Sequence, residues 1–421
     1  MRRFSAFSLM RDAWAARSGQ PPPVEPLWRN PSPKPRYRFL IIGGGGHGLA
    51  AAYHLARDHG ITDVAVLEKG RIGGGNAGRN ATIIRSNYLH PASAALYDSA
   101  LQQWEGLSKA LNFNVLFSAR GLLTLHHSPT DDYLGMRLIH AGRPVGVDGD
   151  YLSPAEAKAI CPPLDISNKA RLPVTGATLQ RRAGVARHDA VVWGYARAAD
   201  ARGVDILENC PVTALRRGAD GAITGVETAK GPIEAQTVLL TSASASPALA
   251  ETAGLSLPLL AKPLQAWVSE SLRPVLPCVV MSNRLQAHIS QADKGELVIS
   301  TGTDQAPIHQ NAGAPQVVET ALASLLALFP RFSRVRMLRI WGGVVDTSPD
   351  ASPILGESGI KGLLLNCGWG TGGFKATPAA GRLAAHHLAT GSPHDLAQPF
   401  ALERFNSGHE IDERFCAGVT Q

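Results

Sequence analysis

The apolar positions of this chain change their pattern twice. Phe39-Leu40-Ile41-Ile42 is a short unbroken apolar run, the form of a strand buried on both faces. A glycine cluster follows, then Leu49-Ala50-Ala51-Ala52-Tyr53-His54-Leu55-Ala56, helical in composition, then a second run, Val64-Ala65-Val66-Leu67. Strand, helix and strand in that order predict a βαβ unit at the head of the chain. A helix over 190–202 and strands at 204–207 and 238–240 continue the same sheet. Between 258 and 346 the pattern becomes alternating: strands are expected over 264–269, 287–290, 297–301 and 335–341, with one helix over 318–329. That describes a mostly antiparallel sheet with helices, and hence a separate domain. Gly362-Leu363-Leu364-Leu365-Asn366-Cys367 is again a buried run, followed by a glycine loop and a helix from Pro378 to Leu388. The chain leaves the first sheet and returns to it, so the pattern predicts an α/β fold with an α+β second domain.

Ahead of this lies an N-terminal segment with a short helix over 4–16, and a run rich in proline over 18–36 that reads as an extended linker. The opening residues imitate a signal peptide, but Arg11 closes a short apolar stretch and no small-residue cleavage site follows. With no apolar run near the ~20 residues of a membrane span, a cytoplasmic location is expected.

Composition narrows the function. The 421 residues are 44% hydrophobic and 18% charged, enough for two or three packed domains. The net charge of +7 comes without a long basic run. It points to an anionic cofactor, an acidic substrate or an acidic partner rather than to nucleic acid. Five scattered cysteines without a CxxC fit a reducing compartment and argue against a disulfide framework or a zinc site.

The strongest local motif is Gly43-Gly44-Gly45-Gly46-His47-Gly48, a GxGxxG placed between strand and helix. Gly43 permits the tight turn, Gly45 lets the backbone approach a pyrophosphate, and Gly48 lets helix and strand pack closely. Glu68 ends the second strand, where a carboxylate accepts ribose hydroxyls. A second glycine loop, Gly73-Gly74-Gly75-Asn76-Ala77-Gly78-Arg79-Asn80-Ala81-Thr82-Ile83-Ile84-Arg85, follows, and a third, Asn366-Cys367-Gly368-Trp369-Gly370-Thr371-Gly372-Gly373-Phe374-Lys375, lies near the end. Arg85 stands in an apolar setting, where a guanidinium suits a buried carboxylate. Lys375 ends the third glycine loop ahead of the expected helix and could serve either the charge of a reduced flavin or a substrate carboxylate. His188 precedes Asp189, an N-cap candidate, and taken alone is a surface or cap-region histidine.

These stretches resemble the glycine/D-amino-acid oxidase superfamily. Within it, the chain is similar over nearly its whole length to the β subunits of heterotetrameric sarcosine oxidases: GGGGHGLA, GGGNAGRN with IIRSNYL, RVRMLRIWGGVVDTSPDASPI, NCGWGTGGFKATP and PFALERF carry the likeness. The resemblance implies a Rossmann-like FAD-binding domain (37–105, 170–256 and 345–398), an antiparallel-sheet substrate domain (106–169 and 257–344) and a tail (399–421). It implies FAD contacts from Gly43, Gly45, Gly46, His47, Gly48, Glu68, Asn76, Arg79, Asn80, Thr82, Ile83, Val212, Gly370, Gly373 and Lys375, with Arg85 and Lys375 holding the substrate carboxylate. It further implies FMN bonded to His188, with Arg181, Arg182 and Arg187 near its phosphate. NAD, zinc and tetrahydrofolate would belong to the α, γ and δ partner subunits. The implied reaction is oxidative demethylation of sarcosine, giving glycine, peroxide and formaldehyde or methylene-tetrahydrofolate. A proline-type dehydrogenase subunit and a flavin-binding assembly subunit without turnover are the alternatives.

Two stretches depart from the family. The strand after Arg339-Ile340-Trp341 reads Gly342-Gly343-Val344-Val345, without the cysteine that carries FAD in monomeric members, so FAD is expected to be non-covalent. The run Leu239-Leu240-Thr241-Ser242-Ala243-Ser244 lacks the usual Ala-Gly ending. No general acid or base stands out.

Overall fold

The computed structural model describes residues 6–18, 26–168, 170–301, 315–414 and 416. The opening residues 1–5 and the heart of the proline run, 19–25, lie outside them. Its helices are α1 (Ala6–Arg17), α2 (Gly46–Asp58), α3 (Pro91–Leu111), α4 (Pro129–Gly142), α5 (Pro154–Ile160), α6 (His188–Asp200), α7 (Ser246–Glu251), α8 (Pro315–Leu328), α9 (Gly373–Thr390) and α10 (Arg404–Ser407).

The two long alternations become two eight-stranded sheets. The first runs Ile354–Glu357, Leu363–Cys367, Ile233–Leu240, Arg36–Ile42, Val64–Leu67 and Asp205–Leu207, with Val212–Arg217 and Ile223–Thr228 attached beside Ile233–Leu240. Its inner strands are parallel, and Val64–Leu67 and Leu363–Cys367 are buried throughout. Helices α2, α3, α6 and α9 cover one face and share a single apolar core with it. A separate core fills the other face.

The second sheet runs Met337–Thr347, Leu260–Ser271, Glu296–Thr301, Ala287–Gln291, Val279–Ser282, Leu122–His126, Gly176–Gln180 and Asp150–Leu152. All its pairings are antiparallel except Leu122–His126 against Val279–Ser282. The α/β class and the antiparallel second sheet are therefore both present.

Several local expectations are corrected. Strand Gly176–Gln180 pairs in the second sheet, so the boundary expected at residue 170 falls too early. Helix α6 begins at His188, and Asp189 lies in its first turn rather than at its N-cap. Helix α9 begins at Gly373 and holds Pro378 in its interior; the proline was read as a first helical position. Residues 26–35 of the linker are strapped to the first sheet and to α6. Arg29 donates to Asp200 (2.7 Å) and Lys34 pairs with Asp205 (3.0 Å), while Trp28 packs on the core.

The Thr241-Ser242-Ala243 departure has a local logic. The Thr241 and Ser242 hydroxyls both donate to the Ile42 carbonyl (2.8 and 3.1 Å), closing the end of the first strand. Ala243 then takes a left-handed φ of +48°, a conformation that costs an alanine roughly 1–2 kcal/mol. Ala243→Gly removes that strain at a smaller loss from unfolded-state freedom. It should therefore stabilise the protein by up to about 1 kcal/mol, read as a higher urea midpoint at unchanged slope. A lower midpoint would show that the turn needs its methyl group.

Candidate active site

The first glycine loop is closely packed at Gly43, Gly46 and Gly48 and opens at Gly45. Gly43 has φ +117°, and a Cβ there would lie 2.6 Å from the Thr241 carbonyl oxygen. A Cβ on Gly48 would lie 2.1 Å from the Gly43 carbonyl oxygen, and one on Gly46 would lie 2.9 Å from Thr377 Oγ1 of α9. A Cβ on Gly45 would meet no heavy atom within 4 Å. Gly45 is also the N-cap of α2 and brings no side-chain cap, so backbone N–H groups of the first turn face that open space. This is a cradle for a dinucleotide pyrophosphate.

Glu68 pins the cradle's rim. Its Oε2 accepts from Gly44 N and its Oε1 from Gly70 N, both at 2.9 Å, and each oxygen keeps capacity for a ribose hydroxyl. Val212 opens its strand two residues past Cys210, whose N–H donates to the Glu68 carbonyl (2.9 Å). His47 Nε2 lies 2.7 Å from the Gly373 carbonyl. A carbonyl only accepts, so Nε2 carries the proton. Burial holds this imidazole below its ordinary pKa and therefore neutral. The first and last glycine loops are thus tied to each other.

The middle loop spends its side chains on the protein. The Asn76 amide both donates to Val344 O (2.6 Å) and accepts from Val344 N (3.1 Å). Trp341 Nε1 donates to Arg79 O (3.0 Å). Asn80 bonds Ala77 O and Thr82 N, each at 2.7 Å. Thr82, at φ +61°, accepts from Ala186 N, and Ile83 pairs with Val185. A Cβ on Gly343 would come within 3.1 Å of Asn76 Oδ1, which accounts for glycine at that place in the strand.

Arg85 and Lys375 come together in the interior, 6% and 8% exposed. Arg85 Nη1 donates to Asn87 O and Oδ1 (2.7 and 2.9 Å), and Nη2 to Cys416 O (2.6 Å). Its guanidinium lies 4.5 Å above the Tyr88 ring, which stacks on Tyr97 at 3.9 Å. Lys375 Nζ donates to Thr371 O (2.8 Å). Neither cation has a carboxylate partner among the described residues. Burial, and then the nearby Arg85 charge, push the Lys375 ammonium well below its ordinary pKa. His288, on strand Ala287–Gln291, feels the same field: burial, Arg85 and Lys375 bring it down to about 4, so it is neutral near pH 7.

The last glycine loop delivers Lys375. Gly370 has φ +50°, and a Cβ on Gly372 would lie 2.0 Å from the Tyr97 hydroxyl. Asp346, buried with its carboxyl raised to about 6 by desolvation, accepts from Gly368 N (2.5 Å) and fixes the loop's entry. The sequence singled out no acid, and this one is occupied by backbone.

His188 opens α6, partly buried and held below its ordinary pKa by desolvation. Its ring forms no hydrogen bond among the described residues. The three flanking arginines are already engaged: Arg181 with Asp150 (3.0 Å), Arg182 with Glu105 (2.7 Å) and Asp98 (3.1 Å), and Arg187 with Asp189 (3.0 Å). All three arginines thus have carboxylate partners, two of them from other segments and one from the same turn.

Two buried cations beside glycine loops that are tied to one another and open at Gly45 are the arrangement of a dinucleotide-binding enzyme. The chain belongs to the FAD-dependent oxidoreductase family, whose model matches residues 38–387. It is 50% identical over 393 residues to the sarcosine oxidase subunit beta of Arthrobacter sp, covering 93% of this chain and 97% of that one. It is 47% identical to the subunit of that name from Rhodobacter capsulatus over the full length of both. Among solved structures, L-proline dehydrogenase from P. horikoshii superposes with a TM-score of 0.83 at 25% identity, over 89% of this chain and 98% of the other. The family uses FAD, and the open space at Gly45 fits its pyrophosphate.

Sequence reasoning missed His288, Tyr97, Asn87 and the Cys416 carbonyl. Tyr88 lay inside the IIRSNYL stretch and could have been found from it. A main-chain carbonyl has no residue signature, so Cys416 could not.

Gly45 and Gly48 should respond differently to alanine. Gly48→Ala forces backbone apart and should yield little folded protein. Gly45→Ala should fold and lose most of its FAD on purification, measured as flavin absorbance per chain. A full complement of FAD in Gly45→Ala would place the pyrophosphate elsewhere.

Proposed function

We propose that this chain oxidises the N-methyl group of sarcosine as the β subunit of a multi-subunit oxidase. The observation that carries the reading is the pair of buried cations, Arg85 and Lys375, held only by neutral acceptors among the described residues. The names of the most similar relatives support both the substrate and the existence of partner subunits. Non-covalent FAD, when bound, supplies the two-electron acceptor for a hydride from the methyl carbon.

Arg85 and Lys375 clamp the carboxylate, each contact worth ~1.5–3 kcal/mol, and so aim the methyl group at the crevice framed by the glycine loops. Their charge disfavours a protonated substrate nitrogen, and loss of hydride needs that nitrogen's lone pair free. The imine left behind is hydrolysed to formaldehyde and glycine, or its carbon is captured by tetrahydrofolate on a partner. His188, whose ring nitrogens form no hydrogen bond among the described residues, stands at a helix start and is the proposed point of covalent FMN attachment, with Arg187 beside it. The second flavin is proposed to pass electrons to O2 at a subunit interface. The partners are read as α, γ and δ subunits that bring NAD, zinc and tetrahydrofolate. The likeness to L-proline dehydrogenase keeps an imino-acid dehydrogenase as a second reading. Anaerobic reduction of the complex by sarcosine, proline and dimethylglycine, with peroxide yield in air, separates the two. FAD bleached by proline and not by sarcosine would overturn the first.

The Lys375 shift gives the carboxylate site a pH dependence of known sign. The protonated ammonium binds carboxylate and exists below its lowered pKa. Affinity is therefore full at low pH and falls as pH rises, at values below the ordinary lysine range. Methoxyacetate, an amine-free isostere of sarcosine, should show this in a flavin-absorbance titration from pH 6 to 10. Lys375→Met should bind it roughly ten-fold or more weakly, in line with one lost charge-assisted contact, and lose that pH dependence. A flat profile in the parent protein would remove Lys375 from the clamp.

A covalent bond survives denaturation. Acid precipitation of the complex should leave one flavin, of FMN mass, on a peptide containing His188, and release FAD. His188→Asn should abolish the bound mass, keep FAD and its reduction by substrate, and lower peroxide formation sharply. A parent chain without added flavin mass would exclude the two-flavin reading.

A further inference from the structure

Arginines buried in proteins are commonly neutralised by carboxylates, and Arg85 is held differently. Three of its N–H donors are engaged, two on Nη1 by the Asn87 carbonyl and amide oxygens and one on Nη2 by the Cys416 carbonyl. Every one of these acceptors is uncharged. They fix the guanidinium plane and, among the described residues, leave two of its five donors, the number a bidentate carboxylate takes. They also leave the positive charge without a counter-charge among those residues. The third support, the Tyr88 ring, is likewise neutral.

The Cys416 carbonyl reaches Arg85 because the chain before it is clamped. Asp350, in a buried pair with Arg404 (2.7 Å), accepts from Ile411 N (3.0 Å), and Ser352 Oγ donates to Ile411 O (2.8 Å). Glu413 N donates to Asp350 O (2.9 Å). The Glu413 carboxylate, 2% exposed, turns onto the start of α3 and accepts from His90 N (2.8 Å) and Leu89 N (3.3 Å). There the N–H groups of the N-cap His90 and of Leu89 before it, together with the helix dipole, satisfy it. The one acid that this segment buries is thus spent on α3 and forms no ion pair with Arg85 among the described residues.

We propose that Asn87 and the described residues 411–414 and Cys416 are positioning elements for Arg85, which hold it by neutral acceptors so that its charge is kept for the substrate carboxylate. The proposal rests on the reading of Arg85 as a carboxylate ligand and adds a second condition to it. An arginine at that place is insufficient, and the groups around it must orient it without pairing with it. Asn87 is then a specificity-determining position, because an aspartate of nearly the same shape would fill the anion site from within.

The test uses the whole complex and four variants: Arg85→Ala, Asn87→Asp, Glu413→Gln and a chain ending at Asp412. Methoxyacetate affinity is measured by flavin titration, and sarcosine affinity and limiting reduction rate by anaerobic stopped flow. Asn87→Asp and the shortened chain should each weaken methoxyacetate about ten-fold or more, as one charge-assisted contact would. The limiting reduction rate should stay within about three-fold, since carboxylate binding and not the reacting carbon is affected. The Asn87→Asp defect should shrink as pH falls and protonates the new carboxylate, which a merely structural defect would not do. Glu413→Gln keeps an acceptor for the His90 N–H and should retain most of the affinity. If Arg85→Ala binds methoxyacetate as the parent does, the reading of Arg85 fails. If Arg85→Ala is weakened while Asn87→Asp and the shortened chain bind as the parent does, only the present proposal is overturned. Should the shortened chain fail to hold FAD, Asn87→Asp and its pH profile decide alone.

Discussion

Buried positive charge without a counter-charge is the constraint around which this molecule is arranged. An ion withdrawn from water costs several kcal/mol even after relaxation, and a paired acid is the usual remedy. At Arg85 and Lys375 that remedy is absent among the described residues, so the cost is met in other ways. Carbonyl and amide oxygens take up the N–H groups, an aromatic face lies under the guanidinium, and the lysine's affinity for its proton falls. Neighbouring His288 stays neutral and adds no third charge. The remaining deficit is an attraction for an anion of the right size. Such a site can persist only in a fold with stability to spare, and the continuous core beneath α2, α3, α6 and α9 supplies it.

The geometry that brings the two cations together is built from absences of side chain. The Tyr97 hydroxyl fits against Gly372 because no Cβ intervenes, and this sets α9 against α3 with Lys375 in its first turn. His47 then ties Gly373 to the first loop. A single set of close contacts therefore fixes both the crevice for a dinucleotide and the position of the lysine beside it.

The parts legible in the sequence were those whose signal is local. The βαβ head, the GxGxxG loop and Glu68 follow from period and spacing within thirty residues. The parts that were missed depend on pairing over long separations. Nothing in Gly-Ala-Thr-Leu-Gln tells which sheet Gly176–Gln180 joins, and its partners, Leu122–His126 and Asp150–Leu152, come from other segments. The ion pairs of Arg181 and Arg182 could not be foreseen either, because Asp150, Glu105 and Asp98 are distant in the chain. Pro378 read as a helix start because a proline in the sixth helical position is seldom tolerated. Their settings and the family resemblance marked Arg85 and Lys375, while the groups that hold Arg85 were silent because two of the three are main-chain carbonyls.

The order of strands in the first sheet has a consequence for biosynthesis. Arg36–Ile42 lies next to Ile233–Leu240, which lies next to Leu363–Cys367, so the strand that opens the chain waits two hundred residues for one neighbour. The glycine loop waits longer, since Gly46 abuts Thr377 and Ala50 abuts Gly381 of α9. Contacts of such separation form late and slowly. On a ribosome adding roughly 5–20 residues per second, the head of the chain spends tens of seconds with its apolar strands synthesised and its cradle unfinished. The cradle for the cofactor is therefore complete only after α9 has been made and has docked, and until then the edges of the half-built sheet are open to other chains.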